Sequence, residues 1–207
     1  RDGKLPAITI TEGDTTLSVT GKVDRVDGWL HDGKLYLRVV DYKTGKKAFD
    51  LSDVRYGLGI QMLLYLFTLE NNGQSHFGYP VVPCGVLYHP ARDVILRMGR
   101  DVEPEKLERA LQKELRRSGM VLSQPEVLQA MEHSALESPC YLPIHVGKEG
   151  DISGGIATAT QLGKLGRYVE KLLHDIAREV SQGNIDADPC SRSPQDNACT
   201  YCEFASA

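Results

Sequence analysis

Long apolar runs are missing from this chain: no stretch approaches the ~20 residues that a helix needs to cross a membrane, so no spanning segment is expected. A signal peptide and an initiator methionine are missing too. The chain opens "RDGKLPAI" and is expected to be a piece of something longer. Positive charge is not in excess, with 24 Lys and Arg against 28 Asp and Glu for a net charge of -4. Contact with nucleic acid would therefore have to be local, or supplied by a larger assembly. Cysteine is scarce and unevenly placed: of Cys84, Cys140, Cys190, Cys199 and Cys202, three crowd into the last eighteen positions. That argues against a disulfide framework and for a reducing, cytoplasmic setting with a metal-type tail. No G-x-x-x-x-G-K-[ST] occurs, so no ATP site is expected; "TGKK" after Lys43 is not one. Internal repeats and low-complexity segments are absent, and the six histidines (His31, His76, His89, His133, His145, His174) form no ligand pair at helical spacing.

What remains is an ordinary globular composition, with 207 residues, 41% hydrophobic and 25% charged, enough for one generous domain. Alternation predicts strands over residues 7–12 and 16–30, an Asp-Gly turn at 31–34, and a second strand at 35–42 antiparallel to the first. A loop comes next, with Ser52 or Asp53 as the cap of a core helix over 54–70. A strand pair is expected over 78–91 and 93–100, an amphipathic helix over 103–119, and a short helix over 124–133. Residues 138–155 read as loop, residues 158–182 as a long helix ended by Gly183, and the tail as irregular. The mixed order of elements predicts an α/β or α+β fold with a small mixed sheet.

The chemistry concentrates in "GKVDRVD" and "VVDYKTG". Because a strand has a period of two, Val39, Asp41 and Lys43 share one face while Val40 and Tyr42 share the other. On the neighbouring strand Asp24 and Asp27 lie on opposite faces, so only one can join Asp41 without a bulge. Two carboxylates converging at strand ends repel unless a cation lies between them, and Mg²⁺ wants such an oxygen environment, completed by water and phosphate. A lysine beside them can stabilise negative charge or orient an attacking water. The pattern describes metal-assisted phosphodiester hydrolysis. The same residues equally describe a surface ion pair worth ~0–1 kcal/mol.

An acid on one strand followed by an apolar strand ending Asp-x-Lys resembles the PD-(D/E)xK nuclease superfamily. "GKVDRVD", "VVDYKTG" and "QMLLY" (61–65) resemble its RecB-type branch, marked by G-x-(I/V)-D, D-Y-K-(S/T) and Q-x-x-x-Y. The resemblance implies a restriction-endonuclease-like core, with Asp24, Asp41 and the Tyr42 carbonyl as Mg²⁺ ligands. It implies Lys43 as the catalytic lysine, and Gln61 and Tyr65, four apart on one helix face, on the DNA side. Asp27 would be a structural or second-layer acid, and Arg25 a phosphate contact or a surface charge.

"GNIDADP", the C-x-x-C of "ACTYCEFASA", "PCGVLYHPARDVIL", "GMVLSQPEVLQAME" and "SPCYLPIHV" resemble the AddB-type subunits of AddAB helicase–nucleases. That resemblance implies a nuclease domain over 1–187 and a truncated iron–sulfur-type tail over 188–207. Cys199 and Cys202 would be two ligands of a 4Fe-4S cluster completed only in the full-length protein. It further implies DNA as substrate and an AddA-type subunit as heterodimer partner, acting at double-strand breaks. The family's upstream metal ligand, a histidine or acid, is expected to be missing: residues 1–16 offer only Asp2, Glu12 and Asp14. The isolated chain is therefore expected to be weak or inactive. Lys46 and Lys47 are candidate backbone contacts. Two other readings stand beside this one: a non-catalytic DNA-guiding module on the same fold, and a CRISPR-associated RecB-like nuclease.

Overall fold

A computed structural model describes residues 7–203 apart from 46, 100, 185, 187, 194 and 195; Asp2 and Lys46 lie outside the described residues. In chain order the elements are β1 (Ile8–Glu12), β2 (Thr15–Val19), β3 (Arg25–His31), β4 (Lys34–Lys43), α1 (Leu51–Val54), α2 (Gln61–Phe77), β5 (Val81–Pro90) and α3 (Pro104–Leu115). After these come β6 (Ser118–Leu122), α4 (Pro125–Met131), β7 (Ile144–Val146), β8 (Ile152–Gly154), β9 (Ile156–Ala157), α5 (Ala159–Ser181), β10 (Ser191–Ser193), β11 (Asp196–Asn197) and a 3-10 turn over Ala198–Tyr201.

The turn between β3 and β4 has φ of 47° at Asp32 and 71° at Gly33. Only a tight turn with both central residues left-handed joins two twisted strands this closely, which is why Asp-Gly stands there. The register it sets runs from His31–Lys34 to Arg25–Val40. β4 then pairs in parallel with β5, β5 antiparallel with β6, and β6 in parallel with β9, giving a five-stranded mixed sheet in the order β3-β4-β5-β6-β9.

The parallel β4–β5 pair needs a crossover, and α2 provides it. Leu37 and Val39 of β4 are buried against Met62, Leu63 and Leu66 of α2, with Leu162 and Val169 of α5 in the same core. Val40 faces the other way, into a second core with Leu87, Val121, Leu128 and Ile144. A central strand covered on both faces reads as a continuous apolar run, hence "LRVV". α5 starts with a reciprocal capping box between Thr158 and Gln161, and its Leu173 and Ala177 seat the separate β1–β2 hairpin through Ile10. Among the described residues, no helix is long and apolar enough to cross a membrane.

The expected α/β class with a mixed sheet flanked by helices is what the structure has. Several local expectations need correction. The strand read over 16–30 is two strands in different sheets, and Asp24 lies in the link between them. Asp50, rather than Ser52 or Asp53, caps α1: its side chain accepts from the Ser52 N–H at 2.8 Å. The core helix over 54–70 is interrupted before Gln61, and α2 continues to Phe77. Residues 93–99 form no strand, and Ile95 is 86% exposed. The antiparallel neighbour of β5 is instead β6, whose Met120, Val121 and Leu122 are all buried. The segment 138–155 contributes the β7–β8 hairpin, and the tail forms the small β10–β11 pair rather than irregular chain.

Candidate active site

One residue beyond the last ladder pair of the β3–β4 hairpin stand Asp24 and Asp41. Asp24 Oδ2 accepts the Tyr42 backbone N–H at 3.1 Å, which ties the acid to the end of β4. Asp41 continues the buried face of Leu37 and Val39, so it points to the α2 side of the sheet. Its side chain is only 14% exposed and forms an ion pair with the Lys43 ammonium two residues on. Asp41 Oδ2 is shielded from solvent and receives no hydrogen bond of regular geometry; Lys43 is its partner. Lys43 also stands over the Tyr88 ring, 5.7 Å from its centroid. The close pairing with Asp41 outweighs partial burial and holds the Lys43 ammonium above its ordinary pKa. Burial pushes the Tyr88 hydroxyl up, and the Asp41 charge adds to this.

The parallel register sets Asp41 beside Tyr88 and Tyr42 beside His89, on opposite faces of the sheet. On the face away from Asp41, Asp27 Oδ1 accepts from Arg25 Nε at 2.6 Å and Oδ2 from Arg38 Nε at 2.8 Å. Arg25 also donates to the Tyr42 hydroxyl at 3.2 Å, and the Tyr42 ring meets His89 edge-on at 5.4 Å. His89 Nδ1 in turn accepts from Arg117 Nε at 3.2 Å. Burial, together with Arg117, Arg25 and Arg38, pulls the imidazole below its ordinary value and keeps it neutral. Of the two hairpin acids, Asp24 is therefore placed near Asp41, while Asp27 anchors an arginine network on the other side.

Gln61 and Tyr65 meet each other, Gln61 Nε2 donating to the Tyr65 hydroxyl at 2.9 Å. A Cβ at Gly21 would sit 2.5 Å from that hydroxyl, so the glycine of "GKVD" is the space the tyrosine of "QMLLY" occupies. Both helix residues line a cavity of about 970 Å³ with Gly21, Lys22 and Val23, next to the chain leading into Asp24. Cys199 and Cys202 are exposed at the 3-10 turn, where the Cys202 N–H donates to the Cys199 carbonyl at 3.1 Å. The Ala198 N–H donates to the Cys190 carbonyl at 3.2 Å, but among the described residues no three His, Cys, Asp or Glu side chains are grouped to hold a metal. Glu12 is engaged elsewhere, with His174 Nδ1 at 2.6 Å.

These groups fit one of the two expected cofactors. Two carboxylates at strand ends, one with a shielded oxygen occupied by an ammonium, are a hard-oxygen set of the kind Mg²⁺ shares with water and phosphate. Two exposed thiols are half of what an iron–sulfur cluster requires, so the residues here do not by themselves fit one. Sequence reasoning missed Tyr88, His89 and Arg117. Their signal is the register of β5 with its two neighbours, parallel to β4 for Tyr88 and His89 and antiparallel to β6 for Arg117, which no local pattern in the chain specifies.

Comparison with known proteins places this chain in a family. Residues 4–207 match the model of the PD-(D/E)XK nuclease superfamily. The chain is 36% identical over 206 residues to the B subunit of the ATP-dependent helicase/deoxyribonuclease of Acetivibrio thermocellus, covering 98% of this chain and 18% of that protein. It is 32% identical to the proteins of the same name from Ruminiclostridium cellulolyticum (97% of this chain, 18% of that protein) and Clostridium kluyveri (98% and 18%). The chain thus spans under a fifth of the length of these relatives. Nearly every residue lies within the family match, and the hairpin that carries Asp24, Asp41 and Lys43 lies inside it: this chain belongs to the PD-(D/E)XK nuclease superfamily.

Proposed function

We propose that this chain is the DNA-cleaving domain of a helicase–nuclease that resects double-strand breaks for recombinational repair, acting in the cytoplasm as a heterodimer with an AddA-type subunit. The carrying observation is Asp24 and Asp41 at adjacent strand ends with Lys43 paired to Asp41 on the α2 face. The names of the relatives, each the B subunit of a helicase/deoxyribonuclease, support the assignment. Residues 1–187 would form the nuclease unit. Residues 188–207 would form the tail, where Cys199 and Cys202 contribute two thiolates to a 4Fe-4S cluster in the full-length protein.

In this reading Asp24, Asp41 and the Tyr42 carbonyl would hold Mg²⁺, which would supply Lewis-acid chemistry at the scissile phosphate. Lys43, its charge maintained by Asp41, positions the attacking water or stabilises the negative charge on the phosphoryl oxygens in the transition state. Tyr88 supplies the ring over which the ammonium rests. Gln61 and Tyr65, held together and seated against Gly21, line the path of the DNA.

The test is Lys43→Ala in the intact complex. Cleavage of one strand should fall by about 10²-fold or more, the order of a lost electrostatic stabiliser. DNA binding, measured without divalent cations, should persist. Undiminished cleavage of both strands would remove Lys43 from the chemistry.

A further inference from the structure

At the ends of β4 and β5 lies a cavity of about 390 Å³ lined in part by Lys43, Tyr88 and Pro90. Its charged lining is Lys43, Lys47, Arg92, Lys113 and Arg116, against a single acid, Glu114. In a chain of net charge -4 this is a local concentration of positive charge. Lys43 is matched by Asp41, and Arg92 Nη2 is matched by Glu114 at 2.7 Å. That leaves Lys47, Lys113 and Arg116 with no carboxylate partner among the described residues.

The arrangement is built rather than incidental. Arg116 is fixed by donating from Nε to the Leu142 carbonyl at 3.0 Å and from Nη2 to the Ile144 carbonyl, neutral acceptors that leave its charge uncompensated. Ser118 Oγ donates to the Lys47 carbonyl and so pins the loop that carries this lysine to β6. Arg92 Nε is shielded from solvent and has no hydrogen-bond partner. A buried donor left unpaired is uncommon and calls for a ligand or other explanation. Tyr88 and Pro90 add an apolar wall. The volume lies in the range of small-ligand sites and exceeds what one phosphate group alone would fill.

We propose that this cavity binds the sugar-phosphate of the nucleotide adjacent to the scissile bond, with Lys47, Lys113 and Arg116 facing the phosphate and Tyr88 and Pro90 facing the sugar. It is a binding subsite distinct from Gln61 and Tyr65, and it rests on the nuclease reading given above. Because Lys43 lines both the cavity and the candidate metal site, a strand held here presents its next phosphate to Asp24 and Asp41.

The experiment is a salt titration of single-stranded oligonucleotide binding by the intact protein in EDTA, comparing wild type with Lys47→Ala/Lys113→Ala. Both lysines are exposed, so their truncation leaves the core intact, and Lys113→Arg serves as the charge-preserving control. The slope of log K against log salt should become shallower by about 0.7 per lysine, hence about 1.4 for the pair. Lys113→Arg should restore its share. Equal losses on oligonucleotides with and without a terminal phosphate would place an internal phosphodiester in the cavity, as proposed. A loss confined to the phosphorylated strand would place the terminal group there and overturn the internal assignment. An unchanged slope while Lys43→Ala still abolishes cleavage would overturn the subsite alone. Cleavage that survives Lys43→Ala would instead overturn the nuclease assignment on which the subsite depends.

Discussion

Asp27 shows how a single carboxylate can be structural in a site full of acids. Burial pushes its pKa up, but the hydrogen bonds from Arg25 and Arg38 together prevail and hold it below the usual carboxylate range. A carboxylate whose folded pKa is depressed lends stability above its unfolded value, near 3.8, and loses it as pH falls through the lower folded one. His89 acts in the same direction at higher pH. Its depressed folded pKa means stability is present above the unfolded value of 6.5 and declines as acid forces a charge next to three arginines. Thermal melts should therefore show a first loss of stability below about pH 6.5, removed in His89→Gln, and a second setting in below about pH 3.8, removed in Asp27→Asn. At neutral pH, Asp27→Ala should cost about 2 kcal/mol, because Arg38, 13% exposed, is left with an uncompensated charge. Gly21 carries a different demand. A methyl group there would displace the Tyr65 ring and break its contact with Gln61, so Gly21→Ala should cost about 1–3 kcal/mol. It should also weaken single-strand binding, and Gly21→Ala/Tyr65→Ala should recover the stability but not the binding.

At the level of elements, the hairpin is the most legible part of the chain. An Asp-Gly turn fixes register, register fixes faces, and the period of two then separates Asp24 from Asp27 without further information. The chain after β5 is far less legible. "DVILRMGR" has the apolar and β-branched residues of a strand, yet Ile95 and Met98 are exposed, and among the described residues 93–99 pair with nothing in the sheet. Ser118 and Gly119 read as the end of the helix over 103–119 and residues 120–122 belong to no expected element, because so short an apolar run has no period of its own to mark it as strand. Missing that strand also hides the basic cavity, since Arg116 and Ser118 reach it only when α3 ends at Leu115. The segment after α4 depends on one side chain. The Glu132 carboxylate accepts the backbone N–H groups of Cys140, Tyr141 and Leu142, the last at 2.9 Å. Glu132→Ala would leave all three donors unpaired at the foot of the second core. It should cost about 2–3 kcal/mol and accelerate amide exchange at residues 140–142 ahead of the central sheet.

For the whole molecule, charge and topology divide the work. The net charge of -4 repels a polyanion at a distance, whereas the cavity at the ends of β4 and β5 is lined by five cations against one acid. The two halves of the candidate site also have different chain separations. Asp24 and Asp41 are joined within one hairpin, whereas Tyr88 is brought beside Asp41 only after the α2 crossover closes.

That separation has a kinetic consequence. Loop closure makes local pairing fast and parallel pairing across a helix slow. The carboxylate pair belongs to the fast part. The aromatic rest for Lys43 and the basic cavity wait for β5 and β6 to dock. During refolding, or as the chain leaves the ribosome, the β3–β4 hairpin is expected to bring Asp24 and Asp41 to adjacent strand ends before Tyr88 reaches Lys43 and before the basic cavity is walled.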